Sequence, residues 1–97
     1  MNKEKLTSQE LEQGLKKIAG WSLSDDHLFR EYKFKDFKRA FSAMSIGAMI
    51  SEKLNHHPDW TNVYNTLTIR LSTHDAGGIT RLDLKWAEQF DQALKEE

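Results

Sequence analysis

Apolar residues in this chain recur at helical spacing in three stretches and alternate in the two stretches between them, an order that leaves few architectures open. Leu11, Leu15 and Ile18 are spaced as one helix face, about residues 8–19. Thr7 and Glu10 stand at capping-box spacing, Leu6 and Leu11 at the spacing of a hydrophobic staple, and Gly20 supplies a stop. Trp21 to Leu23 and Leu28 to Phe34 read as strands joined across Asp25-Asp26, a polar pair suited to a tight hairpin. Leu28, Tyr32 and Phe34 share one face of the second strand, and Phe29, Glu31 and Lys33 share the other. His27, inside this hairpin, reads as a turn residue.

Asp36 suits the N-cap of a long helix carrying Phe37, Phe41, Met44 and Ala48, its apolar face widened by Ala40, Ile50 and Leu54. Pro58 pushes His57 out of the helical region, so that helix ends near Asn55. Asn62 to Thr73 reads as a second hairpin turning at Asn65-Thr66, because Asn tolerates the positive φ of a two-residue turn. That register places Tyr64, Leu67, Ile69 and Leu71 on one face. A loop containing Gly77-Gly78 leads to a last helix, where Thr80 and Asp83 repeat the capping-box spacing and Ile79 and Leu84 the staple. Its buried face is Trp86, Phe90 and Leu94, and Lys95-Glu96-Glu97 reads as a frayed end.

The element order is therefore α-β-β-α-β-β-α. Two hairpins make a four-stranded antiparallel sheet, and three helices on one face of it make an α+β sandwich. The 97 residues are room for one domain, 1–97. A domain of this size buries roughly two thirds of the surface of its unfolded chain. Its margin is thin, and self-association is a natural way to widen it. The stripe on the 36–55 helix is broader than one sheet needs. Core packing is the plainer account of its width; contact with another subunit is the alternative, and a homo-oligomer is expected on that ground.

Fourteen Lys and Arg against 15 Asp and Glu leave a net charge of −1, scattered along the chain. This lacks the basic footprint of a protein devoted to nucleic acid or to an anionic membrane surface. The absence of cysteine removes disulfides, thiolate nucleophiles and Cys-ligated zinc. Ala40 to Ile50 is too short and too interrupted to span a bilayer, and Met1-Asn2-Lys3-Glu4-Lys5 lacks the apolar run of a signal peptide. A soluble cytoplasmic protein is the expectation.

Chemistry points to the histidines. His56 and His57 follow the long helix and His74 closes a strand, in loops hung on a rigid scaffold. Histidine is the side chain whose unperturbed pKa, about 6.5, suits proton exchange near neutrality. Surface or capping histidines are the equal alternative on these facts alone. A metal site fits less well. Neighbours in an extended segment point to opposite sides, and no H-x-x-x-H, H-E-x-x-H or cysteine spacing is present.

Glu52, three residues, His56-His57-Pro58, five residues, Tyr64, nine residues, His74, eight residues and Asp83 together resemble the signature of the pterin-4a-carbinolamine dehydratases. The surrounding His56-His57-Pro58-Asp59-Trp60, Asn62-Val63-Tyr64-Asn65 and Leu71-Ser72-Thr73-His74 are similar too, as is Gly20-Trp21. The resemblance spans nearly the whole chain. It implies a hydro-lyase converting a 4a-hydroxytetrahydropterin to quinonoid dihydropterin, in support of tetrahydropterin recycling, with no metal and no bound cofactor. It also implies a homodimer or homotetramer. Animal members of that family additionally partner a homeodomain transcription factor, so a protein-interaction, coactivator-like module is the second reading.

Under that resemblance His56 and His57 carry most of the proton transfer, and His74 shares it or holds the pterin. Expelling the C4a hydroxyl needs a proton delivered, and completing the double bond needs one taken from N5, so one donor and one acceptor suffice. Spacing does not say which histidine is which. Glu52 orients a histidine or contacts the pterin, or is simply an exposed helix-end carboxylate. Asp83 belongs to the signature, yet its N3 position makes capping a sufficient explanation. Pro58 fixes the chain path. Trp60 and Tyr64 are candidates to flank a flat ring, with core packing the plainer account of both.

Overall fold

In a computed structural model that describes residues 4–96, both capping boxes close. Glu10 N donates to Thr7 Oγ1 at 3.1 Å while Thr7 N donates to Glu10 Oε1 at 3.0 Å, opening α1, Ser8–Leu15. Thr80 N donates to Asp83 Oδ2 at 2.9 Å, opening α3, Arg81–Lys95. Asp36 caps α2, Phe37–Leu54, by accepting from Arg39 N at 2.9 Å. Four strands lie between: β1, Ser22–Ser24; β2, His27–Lys33; β3, Asp59–Val63; and β4, Thr66–Leu71. A single 3₁₀ turn, His74–Ala76, precedes α3.

The sheet is antiparallel throughout, in the order β1-β2-β4-β3. Its register sets Leu28 opposite Leu71, Tyr32 opposite Leu67 and Trp60 opposite Ile69, so these residues share one face. That face meets Trp86, Ala87 and Phe90 of α3 and Ala43 of α2 in one core. Leu28, Leu67, Ile69, Leu71, Trp86 and Phe90 are wholly buried. The α+β arrangement with three helices against a four-stranded sheet is as expected from the sequence.

Three local details differ. First, α1 stops at Leu15 rather than near residue 19. Lys17 N and Ile18 N bond three residues back, to Gly14 O and Leu15 O, tightening the ladder out of the α-helix. Gly20 then takes φ +92° against the Arg30 guanidinium, where a Cβ would lie 2.6 Å from Cζ. The turn delivers Trp21, whose Nε1 donates to Asp91 Oδ2 at 2.8 Å. Tyr32 Oη donates to the same carboxylate. Burial first, and then that bond to Asp91, raise the Tyr32 phenol well above its ordinary value.

Second, the β3–β4 hairpin turns at Tyr64-Asn65, one residue earlier than Asn65-Thr66. Asn62 Nδ2 donates to Tyr64 O and Thr66 O, and Asn65 Nδ2 donates to Phe34 O. Asn65 is therefore spent on tying the turn to β2, and Tyr64 takes the positive φ, +52°. Tyr64 leaves the face of Leu67, Ile69 and Leu71 and is exposed. Third, His27 begins β2, half-buried and paired with Ser24, rather than sitting in the turn. At the C-terminus α3 runs through Lys95 and Glu96 closes it, while Glu97, like Met1 to Lys3 of the N-terminal leader reading, lies outside the described residues.

Candidate active site

The end of α2 builds the site. Asn55 adopts the left-handed conformation, φ 52° and ψ 46°, and its N–H bonds to Ser51 O and Glu52 O. His56 N then reaches back to Ser51 O at 3.0 Å. This is a left-handed helix stop with asparagine in the position usually held by glycine. It swings His56 inward, while Pro58 carries the chain into β3.

His56 is buried, and its Nε2 lies 2.5 Å from Oδ1 of Asp83 in the first turn of α3. Asp83 is wholly buried. Its other oxygen, Oδ2, accepts from Thr80 N at 2.9 Å and from Thr73 Oγ1 at 2.9 Å. One oxygen of Asp83 thus serves the α3 cap while the other faces His56. The α3 N-terminus favours negative charge at this place. An acceptor on that side of the pair makes His56 Nε2 the donor. Among the described residues every buried side-chain nitrogen and oxygen has a partner, and Nδ1 of His56 is bonded to none, so that nitrogen is open to the outside. The pair fixes the direction of the ring, with Nε2 on Asp83 and Nδ1 turned away from it.

His57 forms a second carboxylate–imidazole pair. Its Nε2 lies 2.7 Å from Glu52 Oε2, one turn back on α2, and both side chains are largely exposed. Glu52 is thus within hydrogen-bond reach of a histidine. His74 follows Thr73 directly, its Cα about 3.8 Å further along the chain, and is exposed at the start of the 3₁₀ turn. Thr73 N bonds Gly78 O at 2.7 Å and Thr73 O accepts from Ala76 N and Gly77 N, closing this loop. The ends of α2 and β4 and the start of α3 therefore meet at Asp83, with His57 and His74 as chain neighbours of its two long-range partners.

The other sequence candidates fall as follows. Pro58 is half-buried at the mouth of β3. Trp60 points into the core, edge-on to Trp86 at 6.1 Å and 77°, and close over α2 at Gly47. Tyr64 stands at the far end of β3, about 16 Å from Asp59 at roughly 3.3 Å per residue, so within one subunit it does not join the histidines. No group of three His, Asp or Glu side chains among the described residues is placed to hold a metal ion. Nor does any helix among them have the length and apolarity to cross a membrane. Thr73 is the residue that sequence reasoning passed over. Its one signal was a place beside His74 in the resemblance, and a threonine closing a strand is otherwise explained by β-propensity.

Comparison with known proteins points to one family. The family described as Pterin 4 alpha carbinolamine dehydratase matches residues 4–93. Relatives named for pterin-4-alpha-carbinolamine dehydratase include one from Prochlorococcus marinus (strain MIT 9515), 49% identical over 90 residues, covering 93% of this chain and 94% of its own. Another, from Sinorhizobium fredii (strain NBRC 101917 / NGR234), is 45% identical over 95 residues, covering 96% of this chain and 90% of its own. A crystal structure of a transcriptional coactivator/pterin dehydratase from Brucella melitensis superposes with a TM-score of 0.89 at 40% identity, covering 92% of this chain and 97% of that one. The chain belongs to the pterin 4 alpha carbinolamine dehydratase family.

Proposed function

We propose that this member of the pterin 4 alpha carbinolamine dehydratase family removes water from a 4a-hydroxytetrahydropterin, giving quinonoid dihydropterin and supporting tetrahydropterin recycling in the cytoplasm. The observation that carries the reading is the pair of carboxylate-held imidazoles at the end of α2, His56 on Asp83 and His57 on Glu52. Loss of the C4a hydroxyl as water requires a proton at that oxygen. Formation of the C4a–N5 double bond releases the proton from N5, so the reaction is balanced by one donation and one acceptance. His56, with Nε2–H committed to Asp83, offers Nδ1 as the acceptor. His57 or His74, both exposed, supplies the donor. Glu52 and Asp83 act by orienting the rings, Pro58 by fixing the path between them, and Trp60 by backing the site from the core.

The test is single alanine substitution of His56, His57 and His74, assayed on the 4a-carbinolamine. Positioned acid–base groups contribute on the order of 10²–10⁴-fold, so turnover falls by about that factor for the acceptor and the donor. All three variants staying within about tenfold of the parent would exclude these roles.

A second reading is favoured by the outer side of α2. Phe37, Phe41 and Met49 are 47%, 55% and 70% exposed, apolar surface on a helix whose other side is already in the core. Such exposed apolar surface fits subunit contact, as a homodimer or homotetramer, and equally suits the coactivator-like interaction role suggested by the Brucella protein's name. Light scattering at micromolar concentration decides the first: a monomer alone counts against it. A stoichiometric partner co-purifying with a chain that does not turn over the carbinolamine favours the interaction module instead.

A further inference from the structure

We propose that Thr73 is a positioning residue of this site: its hydroxyl locks the Asp83 carboxylate and, through it, the ring and tautomer of His56. For its effect on turnover the proposal rests on the dehydratase reading; for its effect on His56 it rests on geometry alone.

The capping box of α3 is complete without Thr73, since Thr80 and Asp83 satisfy each other within one helix. The loop from 73 to 78 is closed by the Thr73 main chain, which bonds Gly78 O, Ala76 N and Gly77 N. Neither structure needs the side-chain oxygen. That oxygen is nonetheless buried and doubly bonded, 2.9 Å from Asp83 Oδ2 and 2.7 Å from Thr80 Oγ1. Burying a hydroxyl in place of the isosteric methyl of valine costs free energy unless both partners are in place.

Donor directions in the cluster follow from its members. The carboxylate only accepts, so the Thr73 O–H points at Asp83 Oδ2. Thr73 then has lone pairs but no proton left for Thr80, so the Thr80 O–H points at Thr73 Oγ1. Thr80 Oγ1 in turn accepts from Leu82 N at 3.2 Å. Each proton is directed from the α3 N-terminus toward Asp83. Oδ2 is held from two elements at once, by Thr80 N of the helix cap and Thr73 Oγ1 of the strand end. This stops rotation of the carboxylate about its own bond and leaves Oδ1 to a single partner, His56. Without the Thr73 hydroxyl one donor remains on Oδ2, the Thr80 O–H loses its acceptor, and the plane that selects Nε2–H on His56 is free to turn.

The experiment uses the full chain with Thr73→Val, Thr73→Ala and Thr73→Ser. Nitrogen-15 spectra of the histidine rings report the His56 tautomer, and turnover is measured on the 4a-carbinolamine. In the valine and alanine variants the His56 Nε2–H signature is lost or averaged, and kcat falls between about tenfold and 100-fold, the scale of a small misplacement of a reacting group. KM changes little, and Thr73→Ser restores both readouts. Should valine prevent folding, alanine removes the same hydroxyl without setting a methyl against the carboxylate. The proposal is overturned if the His56 signature survives in both variants, if kcat is unchanged when the signature is lost, or if serine restores neither. A parent protein with no turnover would sink the dehydratase reading, yet the nitrogen-15 spectra would still decide what Thr73 does.

Discussion

Replacing Asp83 by asparagine separates the two tasks that one carboxylate performs. Its Oδ2 faces two donors, Thr80 N and Thr73 Oγ1, whereas Oδ1 faces only His56 Nε2. An amide has one acceptor, and that oxygen is best used against the two donors. The NH2 then lies against His56 Nε2 and forces the proton onto Nδ1, the nitrogen open to the outside. The cap survives; the acceptor does not. Loss of the carboxylate's charge at a helix N-terminus costs roughly 0.3–1 kcal/mol, and hydrogen bonds weakened from charged to neutral add about 1 kcal/mol. The melting temperature of Asp83→Asn therefore falls only modestly, while kcat drops by about 10²–10⁴, because a wrongly tautomerised histidine disables a carboxylate-held base. Asp83→Ala behaves differently. It orphans three donors in a wholly buried place, at about 1–3 kcal/mol each, a large part of the roughly 5–15 kcal/mol that holds a domain together. Thermal melts and steady-state kinetics of the two variants, with nitrogen-15 spectra of Asp83→Asn, form the assay. Asp83→Asn retaining kcat within about tenfold of the parent, or keeping His56 protonated at Nε2, would refute the reasoning.

Two predictions concern the scaffold. Gly47→Ala sets a Cβ 2.8 Å from Trp60 Cζ3 and 3.2 Å from Trp86 Cζ2; overpacking at about 1–3 kcal/mol outweighs the roughly 1 kcal/mol gained in helix propensity, so a thermal melt reads a lower midpoint, and an unchanged or higher one counts against the packing account. Tyr32, raised above its ordinary 10.0 by burial and by Asp91, keeps its proton in the fold where the unfolded chain would release it. Its contribution is complete below the unfolded value and is lost as pH climbs above it. Denaturant titrations of Tyr32→Phe at several alkaline pH values give a flatter decline than the parent, and an equally steep one contradicts the assignment.

Local chemistry decided what was legible before the structure. Thr7, Asp36 and Thr80 start their helices where the capping rules put them, because a cap is settled by atoms three residues apart. The helix stop at Asn55 followed likewise from Pro58. Misreadings arose where distant partners intervene. Asn65 was given the turn's positive φ from its intrinsic tolerance, but Phe34 O claims its amide and Tyr64 takes that conformation. Helix α1 gives way after Leu15 to bonds three residues back, and Arg30, ten residues beyond Gly20, packs against the turn that follows. The site shows the same division. Glu52 and His57 are five residues apart and their pairing was within reach of spacing. The bonds from His56 and Thr73 to Asp83 cross 27 and 10 residues, and only folding brings them onto one carboxylate.

The most direct measurement is a crystal structure with a stable reduced-pterin analogue bound. A flat ring within hydrogen-bond reach of Nδ1 of His56, with the imidazoles of His57 and His74 on its border, is the result expected. An analogue seated on another surface, with none of the three rings in reach, would contradict the account.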